Sequence, residues 1–222
     1  MSSLASRVRK PTAIVVAVAA WFGMVLQFYV SAGLMRANGY GWLHIAIRYF
    51  SYFTVLTNAL VAVTLTIPLL SPRSGVGRFF ARPSLRAAVA SYIAVVGISY
   101  SLLLRHVWDP KGLAKVSDSM QHDVVPVLYV LFWLLFEPKG TLRWRDLPLW
   151  LVYPLAYVAF AMIQGASSGF YPYYFIDAGK LGYAGALAGA SRILVALLVL
   201  GLLMLGADRW MSRLQAKRTR SP

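Results

Sequence analysis

Six long apolar segments constrain the fold more than any other feature of this sequence. A helix that crosses a bilayer needs about 20 mostly apolar residues, and six segments reach that length, at about residues 13–34, 43–70, 87–108, 117–136, 147–165 and 183–205. Only 13% of the 222 residues are charged, against about a quarter in soluble domains. Because backbone groups in lipid must be hydrogen bonded internally, the sequence predicts an all-α integral membrane bundle of six transmembrane helices, with residues 1–222 in a single domain.

The first segment has two possible interpretations, a secretory signal or a retained span. Basic residues precede it at Arg7, Arg9 and Lys10, as they do in signal peptides. A signal peptide, however, has an apolar core of about 7–15 residues followed by a small-residue cleavage site. The segment at 13–34 is longer and no clear site follows it, so we interpret it as the first membrane span.

The distribution of basic residues predicts the orientation of the helices. Fifteen Lys and Arg residues fall in the two tails and in the connections after the second and fourth segments, against four in the other connections. Cytoplasmic loops carry this excess, so both termini are predicted to be cytoplasmic, with residues 206–222 as a basic tail. The expected location is the plasma (inner) membrane, as a multi-pass protein. The net charge of +15 is not gathered on one soluble face, which argues against nucleic-acid binding.

Several chemistries are excluded by what the sequence lacks. It has no cysteine, which removes disulfides, cysteine-ligated zinc, iron–sulfur clusters and thiol catalysis. Its three histidines are scattered, and Asp123 and Asp177 have no metal-ligand spacing, so neither a metal nor a cofactor is predicted. It contains no H-E-x-x-H or P-loop motif, and we find no internal repeat. Any chemistry must come from polar side chains in the spans and outer connections.

The second segment contains the most patterned polar residues, in the stretch YFSYFTVLTN. Residues 47, 51, 54 and 58 recur at the spacing of one helix face, which places Ser51, Thr54 and Asn58 together. Asn58 lies one turn from Thr54 and could hold its rotamer. Two interpretations stay open: these side chains bond across membrane helices, or Thr54 takes part in chemistry.

The fourth segment begins with SDSMQHDVVPVLYV, which contains His122. Ser117 is the predicted N-cap, with Asp118 favourable in the first turn. His122 then lies about 7 Å from the cap and Thr54 about 16 Å into its own helix, so the sequence does not show that the two meet. Pro126 is expected to free a carbonyl and widen this end of the helix. His122 is either an interfacial histidine bonded to a loop or a base.

Charged and aromatic residues mark the predicted outer side. Arg48 and Arg105 can snorkel or bind a carboxylate or phosphate headgroup. The last outer connection, GASSGFYPYYFIDAGKLGY, includes Tyr173 among tyrosines suited to a headgroup-level belt. Its only acid is Asp177, which we expect to pair with Lys180, Arg105 or His122.

Four strings, YFTVLTN, HDVVPVLYVLFWLLFEPKG, WLVYPLAY and QGASSGFYPYYFID, follow one another in this order. Together they resemble a bacterial branch of the androgen-induced-protein family, the FAR/AIG and ADTRP relatives, from about Arg48 to Gly182. Eukaryotic members of that family are six-helix membrane proteins that hydrolyse branched fatty-acid esters of hydroxy fatty acids with an intramembrane Thr and a His. The resemblance implies Thr54 as nucleophile and His122 as base.

Two functions therefore follow as hypotheses. The first is an intramembrane threonine hydrolase of lipid esters, in which Asn58 or Tyr52 donates a hydrogen bond to the oxyanion. His106 is the alternative histidine partner of Thr54. The second is a non-catalytic lipid-binding or small-solute membrane protein, in which Arg48, Arg105 and the tyrosines of the last outer connection bind a headgroup. Both have a membrane lipid or lipid ester as partner, and the oligomeric state stays open.

Overall fold

The computed structural model describes residues 3–218, with side chains from residue 7 to residue 217. The chain is 84% helical, with no strand in the described part. Six helical segments are long and apolar enough to cross a membrane: Arg7–Ala37, Phe53–Leu70, Pro83–Leu104, Gly112–Phe136, Asp146–Ser168 and Ala178–Lys217. The predicted helical class and the six candidate spans are confirmed.

Contacts divide the chain, predicted as one domain over residues 1–222, into two compact units, Met1–Pro138 and Lys139–Pro222. The first unit contains α1 (Ser3–Ala37), α2 (Trp42–Phe50), α3 (Phe53–Leu70), α4 (Gly75–Phe80), α5 (Pro83–Ser99), α6 (Gly112–Ser119) and α7 (Val125–Phe136). Two π-helical segments interrupt it, Tyr100–Leu104 after α5 and Met120–Val124 between α6 and α7. Helix α1 packs on α3, α6 and α7, and α5 packs on α3 and α7. Small residues that are completely buried, such as Ala62 and Ala90, let these helices approach closely.

The second predicted helix, residues 43–70, is broken. Ser51 and Tyr52 separate α2 from α3, and Tyr52 has an extended backbone (φ −86°, ψ 129°). The Ser51 hydroxyl donates to the carbonyl of Ile47 at 2.5 Å, which gives this carbonyl near the end of α2 a hydrogen-bond donor. The prediction of one polar stripe on a continuous helix is therefore wrong. Thr54 is the second residue of α3 rather than a mid-helix residue, and Asn58 lies one turn further along.

The fourth span starts earlier than predicted. Helix α6 begins at Gly112, so the predicted N-cap at Ser117 is wrong. Ser117 is buried inside α6, and its hydroxyl donates to Gln27 Oε1 on α1 at 2.7 Å. Asp118 is also buried, with 4% of its surface exposed, and it lies near the end of α6 instead of in a first turn.

The predicted widening near Pro126 is found one turn before it. Proline has no N–H to offer the carbonyl four residues earlier, which here is that of His122. The chain adopts a π-helical turn in this place, in which the Val125 N–H bonds to the Met120 carbonyl. A π turn contains one residue more than an α turn, so it changes the direction in which the surrounding side chains point.

The second unit is built from α8 (Asp146–Ser168), a 3₁₀ turn (Tyr174–Ile176) and α9 (Ala178–Arg218). Helix α8 packs on α9. Gly182 interrupts α9 with φ 67° and ψ 165°, a conformation that favours glycine. Helix α9 continues past residue 205 to Arg218, so the predicted basic tail, 206–222, is mostly helical, and residues 219–222 lie outside the described part.

Candidate functional site

The two π-helical segments of the first unit place titratable side chains in one region. Helix α5 packs against the second π segment. The approach is close at Gly97, where a Cβ would lie 3.1 Å from the His122 carbonyl oxygen. π turns inside α-helices are frequent at functional sites. Tyr100 begins the first π segment and His122 lies in the second.

Tyr100, Asp118 and His122 form one hydrogen-bonded cluster, in which Tyr100 and Asp118 are buried. The rings of Tyr100 and His122 stack with centroids 4.0 Å apart and planes 14° apart. The Tyr100 hydroxyl donates to Asp118 Oδ2. His122 Nδ1 lies 3.0 Å from the Asp118 carbonyl oxygen and 3.2 Å from Asp118 Oδ1. The three side chains therefore fix one another's orientation.

These contacts decide the tautomer of His122. Both oxygens near Nδ1 are acceptors, a backbone carbonyl and a carboxylate that already accepts from Tyr100 on its other oxygen. Nδ1 must then carry the hydrogen, and in neutral imidazole the lone pair lies on Nε2. The His122 side chain is 14% exposed. A histidine held in this way by a carboxylate is the arrangement that a general base needs.

An ion pair lies beside this cluster. Arg105 donates to Asp123 Oδ1, and each side chain is 38% exposed. The hydrogen bond to Asp123 raises the pKa of the Arg105 guanidinium above its usual value. Arg105 Cζ is 4.9 Å from the centre of the Tyr100 ring. Arg105 is thus engaged by the protein's own carboxylate, which weakens its predicted use as a headgroup ligand.

Asn58 connects the region of Thr54 to the second π segment. Its Nδ2 donates to the carbonyls of Thr54 at 2.9 Å and Gln121 at 3.3 Å. Two carbonyl acceptors require the amide nitrogen at this position, which also fixes the orientation of the carboxamide. Because both amide hydrogens are used, Asn58 braces the two backbones and is a poor candidate for the predicted oxyanion donor.

Two acceptors in this region lack a protein donor. Asn58 Oδ1 and Gln121 Oε1 are buried without a hydrogen-bond partner among the described residues. Buried carbonyl oxygens of this kind are normally satisfied. They mark where water or a substrate hydroxyl would donate a hydrogen bond.

Thr54 lies in the first turn of α3 and is 8% exposed. The half-buried Tyr52 precedes it at the N-cap position. Burial raises the pKa of Tyr52, an effect that the charge of Arg48 opposes. Tyr52 therefore stays protonated at neutral pH.

The remaining predicted site residues have contacts within their own unit. His106 is exposed in the connection after the first π segment. In the second unit, Tyr173 stacks on Phe175 with centroids 5.2 Å apart. Asp177 Oδ2 lies 3.6 Å from Lys180 Nζ, one of the three partners expected for it.

The sequence reasoning missed Tyr100 and Asp118 as site residues. Asp118 precedes His122 by four residues, a spacing that places the two side chains on one helix face. That spacing could have identified Asp118 as the partner of His122. It was overlooked because Asp118 was assigned to the first turn of the helix. Tyr100 carried no signal, because its approach depends on the packing of α5.

A second buried polar cluster was also missed. Glu137, whose side chain is 2% exposed, accepts from Arg86 at 2.5 Å and from Arg9 at 3.0 Å. Arg86 also donates to the carbonyls of Phe80 and Thr64. These bonds join α1, α3, α5 and the end of α7, so we assign the cluster to stability.

Among the residues that the structure describes, no three His, Cys, Asp or Glu side chains lie close enough to hold a metal ion. Comparison of the chain with family models, curated proteins and solved structures finds no match.

Proposed function

We propose that this protein is an intramembrane hydrolase of lipid esters, with Thr54 as nucleophile and His122 as general base. The observation that carries the proposal is the Asp118–His122 contact, which holds the imidazole with Nε2 as its basic nitrogen. Thr54 is connected to the adjoining residue Gln121 by the two hydrogen bonds of Asn58. A threonine hydroxyl needs a base of this kind at neutral pH.

The reaction balances as a two-step acyl transfer. The Thr54 hydroxyl attacks the ester carbonyl while His122 Nε2 takes its proton, and the tetrahedral intermediate expels the alcohol, which leaves with that proton. Water then attacks the acyl-threonine, His122 accepts a proton from the water, and the proton returns to Thr54 as the carboxylic acid departs. Asp118 stabilises the imidazolium in both steps.

The break between α2 and α3 supports the role of Thr54. A helix N-terminus carries a partial positive charge and favours negative charge nearby. As the second residue of α3, Thr54 lies where a developing oxyanion is stabilised, which a mid-helix position would not provide. Tyr52, protonated and half-buried, is the side chain that we assign as oxyanion donor.

The substrate class follows from the location. Six helices are long and apolar enough to cross a membrane, and an apolar ester can reach a site between such helices by lateral diffusion. Fatty-acid esters of hydroxy fatty acids, the substrates implied by the resemblance to the androgen-induced-protein family, fit that route. We extend the proposal to membership of the bacterial branch of that family and to the plasma membrane, with both termini in the cytoplasm.

The nucleophile is tested by covalent labelling of the purified protein with a fluorophosphonate probe. We expect labelling of the wild type, loss of labelling in Thr54→Ala and His122→Gln, and release of free fatty acid from a fatty-acid ester of a hydroxy fatty acid. Thr57→Ala is the matched control, since Thr57 is a buried threonine of the same helix, and His106→Gln is the control for the base. Labelling that persists in Thr54→Ala would exclude Thr54. Bound lipid without turnover would favour the lipid-binding alternative.

The orientation is tested separately with introduced thiols. The chain has no cysteine, so in the single variants Ser74→Cys and Ser167→Cys the introduced thiol is the one thiol of this protein that a maleimide can label. We expect an impermeant maleimide applied to intact cells to label the second position and not the first. The reverse pattern would contradict cytoplasmic termini.

A further inference from the structure

A basic groove in the second unit has no part in the proposed reaction. It has a volume of about 360 Å³ and is lined by Leu142, Arg143, Trp144, Arg145 and Arg209. Three of these five residues are arginines, and none is acidic. The groove lies where the connection before α8 meets the distal part of α9, and every lining residue belongs to the same compact unit.

The carboxylates near the groove accept hydrogen bonds from backbone N–H groups. Asp208 is completely buried and accepts from the N–H groups of Gly140 at 2.9 Å and Leu142 at 3.1 Å. Asp146 accepts from the N–H of Arg143 at 2.8 Å. Among the described residues, no carboxylate forms an ion pair with Arg143, Arg145 or Arg209. The guanidinium groups of the groove are therefore not held in ion pairs by carboxylates of the described residues.

Contacts within the second unit hold the groove in shape. The two hydrogen bonds to Asp208 fasten the connection to α9. Gly140 has φ +79°, and a Cβ there would lie 2.6 Å from Ser212 Oγ, so the two segments approach too closely for a larger residue. Arg209 Cζ lies 4.5 Å from the centre of the Trp144 ring, which holds this guanidinium by a cation–π contact.

The position of the groove identifies the ligand class. It adjoins the start of the candidate span Asp146–Ser168. Trp144 and Trp210 are 58% and 64% exposed, and exposed tryptophans at the end of a span are typical of the headgroup level. Arginine forks match the geometry of phosphate oxygens. At this level of a bilayer, phosphate is carried by phospholipid.

We propose that this groove binds the phosphate of an anionic phospholipid. Basic pockets at the cytoplasmic ends of membrane helices bind anionic headgroups, and the charge distribution of this chain predicts that this end is cytoplasmic. Arg143 and Arg145 contact the phosphate from the connection, and Arg209 contacts it from α9. The site serves as a lipid anchor and takes no part in the proposed hydrolysis.

The test measures lipid retention by the full-length protein in detergent, using native mass spectrometry with added phosphatidylglycerol or phosphatidylcholine. We expect the wild type to retain phosphatidylglycerol preferentially. The triple variant Arg143→Gln, Arg145→Gln, Arg209→Gln should bind it on the order of a hundredfold more weakly, about fivefold for each arginine. Arg209→Lys keeps the charge but not the planar fork, and we expect an intermediate loss.

The matched control is Arg73→Gln, Arg78→Gln, Arg82→Gln, which removes the same charge from α4 and from the residues on either side of it. This variant should keep the phosphatidylglycerol preference. Equal weakening in both triple variants would show general attraction to basic ends and overturn the site. Unchanged lipid retention in the Arg143, Arg145, Arg209 triple variant would also overturn the proposed site. Displacement of the lipid by millimolar inorganic phosphate would overturn it as well, because that result would identify free phosphate as the ligand. Circular dichroism of each variant excludes loss by unfolding.

Discussion

The imidazole of His122 lies face to face with the phenol of Tyr100, with ring centroids 4.0 Å apart, and both side chains hydrogen bond to Asp118. This stack joins the two π-helical segments of the first unit. The extra residue in each π turn changes the helical register locally. The base that we assign to the reaction is thus oriented by residues on two helices.

The first prediction concerns Asp118→Asn. The amide can present its NH₂ group to Nδ1 and favour the wrong tautomer, although the Asp118 backbone carbonyl still accepts. We expect fluorophosphonate labelling to slow about 10- to 100-fold, less than the roughly 10²–10⁴-fold that a general base supplies. The imidazole nitrogens are observed directly by ¹⁵N NMR in a His44→Gln, His106→Gln background, which leaves one histidine.

The NMR measurement tests the tautomer of His122 independently of whether the protein is catalytically active. A protonated Nδ1 in the parent that is altered in Asp118→Asn supports the assigned geometry, even if Thr54 proves unreactive. Identical nitrogen signals in the two proteins would contradict it. Tyr100→Phe, which keeps the stacked ring and removes the hydroxyl, should have a smaller effect on both readouts.

A second prediction concerns Asn58→Ala. Asn58 is completely buried, and its amide bonds the Thr54 and Gln121 carbonyls. Removing it should lower the free energy of unfolding by about 1–3 kcal/mol, because the Gln121 carbonyl loses a buried donor. Asn38→Ala is the control, since the exposed Asn38 makes the same bond to the carbonyl four residues earlier, that of Leu34. Equal losses of unfolding free energy for Asn58→Ala and Asn38→Ala in a denaturant titration would show that the bond from Asn58 to the Gln121 carbonyl is unimportant.

Glu137→Gln provides a third prediction. The change leaves the buried guanidinium of Arg86 without its charge partner, and breaking a buried ion pair in this way costs about 3–5 kcal/mol. The double variant Glu137→Gln, Arg86→Gln should lose less than the single variant, since no uncompensated charge remains. Asp109→Asn is the exposed comparison, because Asp109 and Lys111 are 78% and 81% exposed, and it should change the unfolding midpoint little.

The fourth prediction separates backbone strain from a steric clash in the second unit. Gly140→Ala places a Cβ against Ser212 Oγ at a φ of +79°, and we expect a loss of at least about 1 kcal/mol. Gly39→Ala has a similar φ of +82° in open space and should lose only the part due to strain. Thermal unfolding in detergent gives both values. Equal losses would show that the Ser212 approach contributes nothing.

The amino-acid sequence by itself determined the fold class and the six candidate spans. Apolar length is a local property, so segments such as residues 147–165 can be read without knowledge of their neighbours. The widening before Pro126 was predictable for the same reason, because the missing N–H acts on its own helix. Thr54 and His122 were selected as candidates from local patterns and from the family resemblance.

Only the tertiary structure decided how these residues are presented. The break at Ser51–Tyr52, which moves Thr54 to a helix N-terminus, interrupts residues 43–70, a stretch whose apolar length predicts one continuous helix. Asp118 is buried beside His122 rather than placed in a first turn, because α6 starts at Gly112. Tyr100 reaches both residues only through the packing of α5, and Asp208 fastens residues 66 and 68 positions away in sequence. Hydrogen bonds between distant segments form where packing brings the partners together, and a local pattern does not encode that distance.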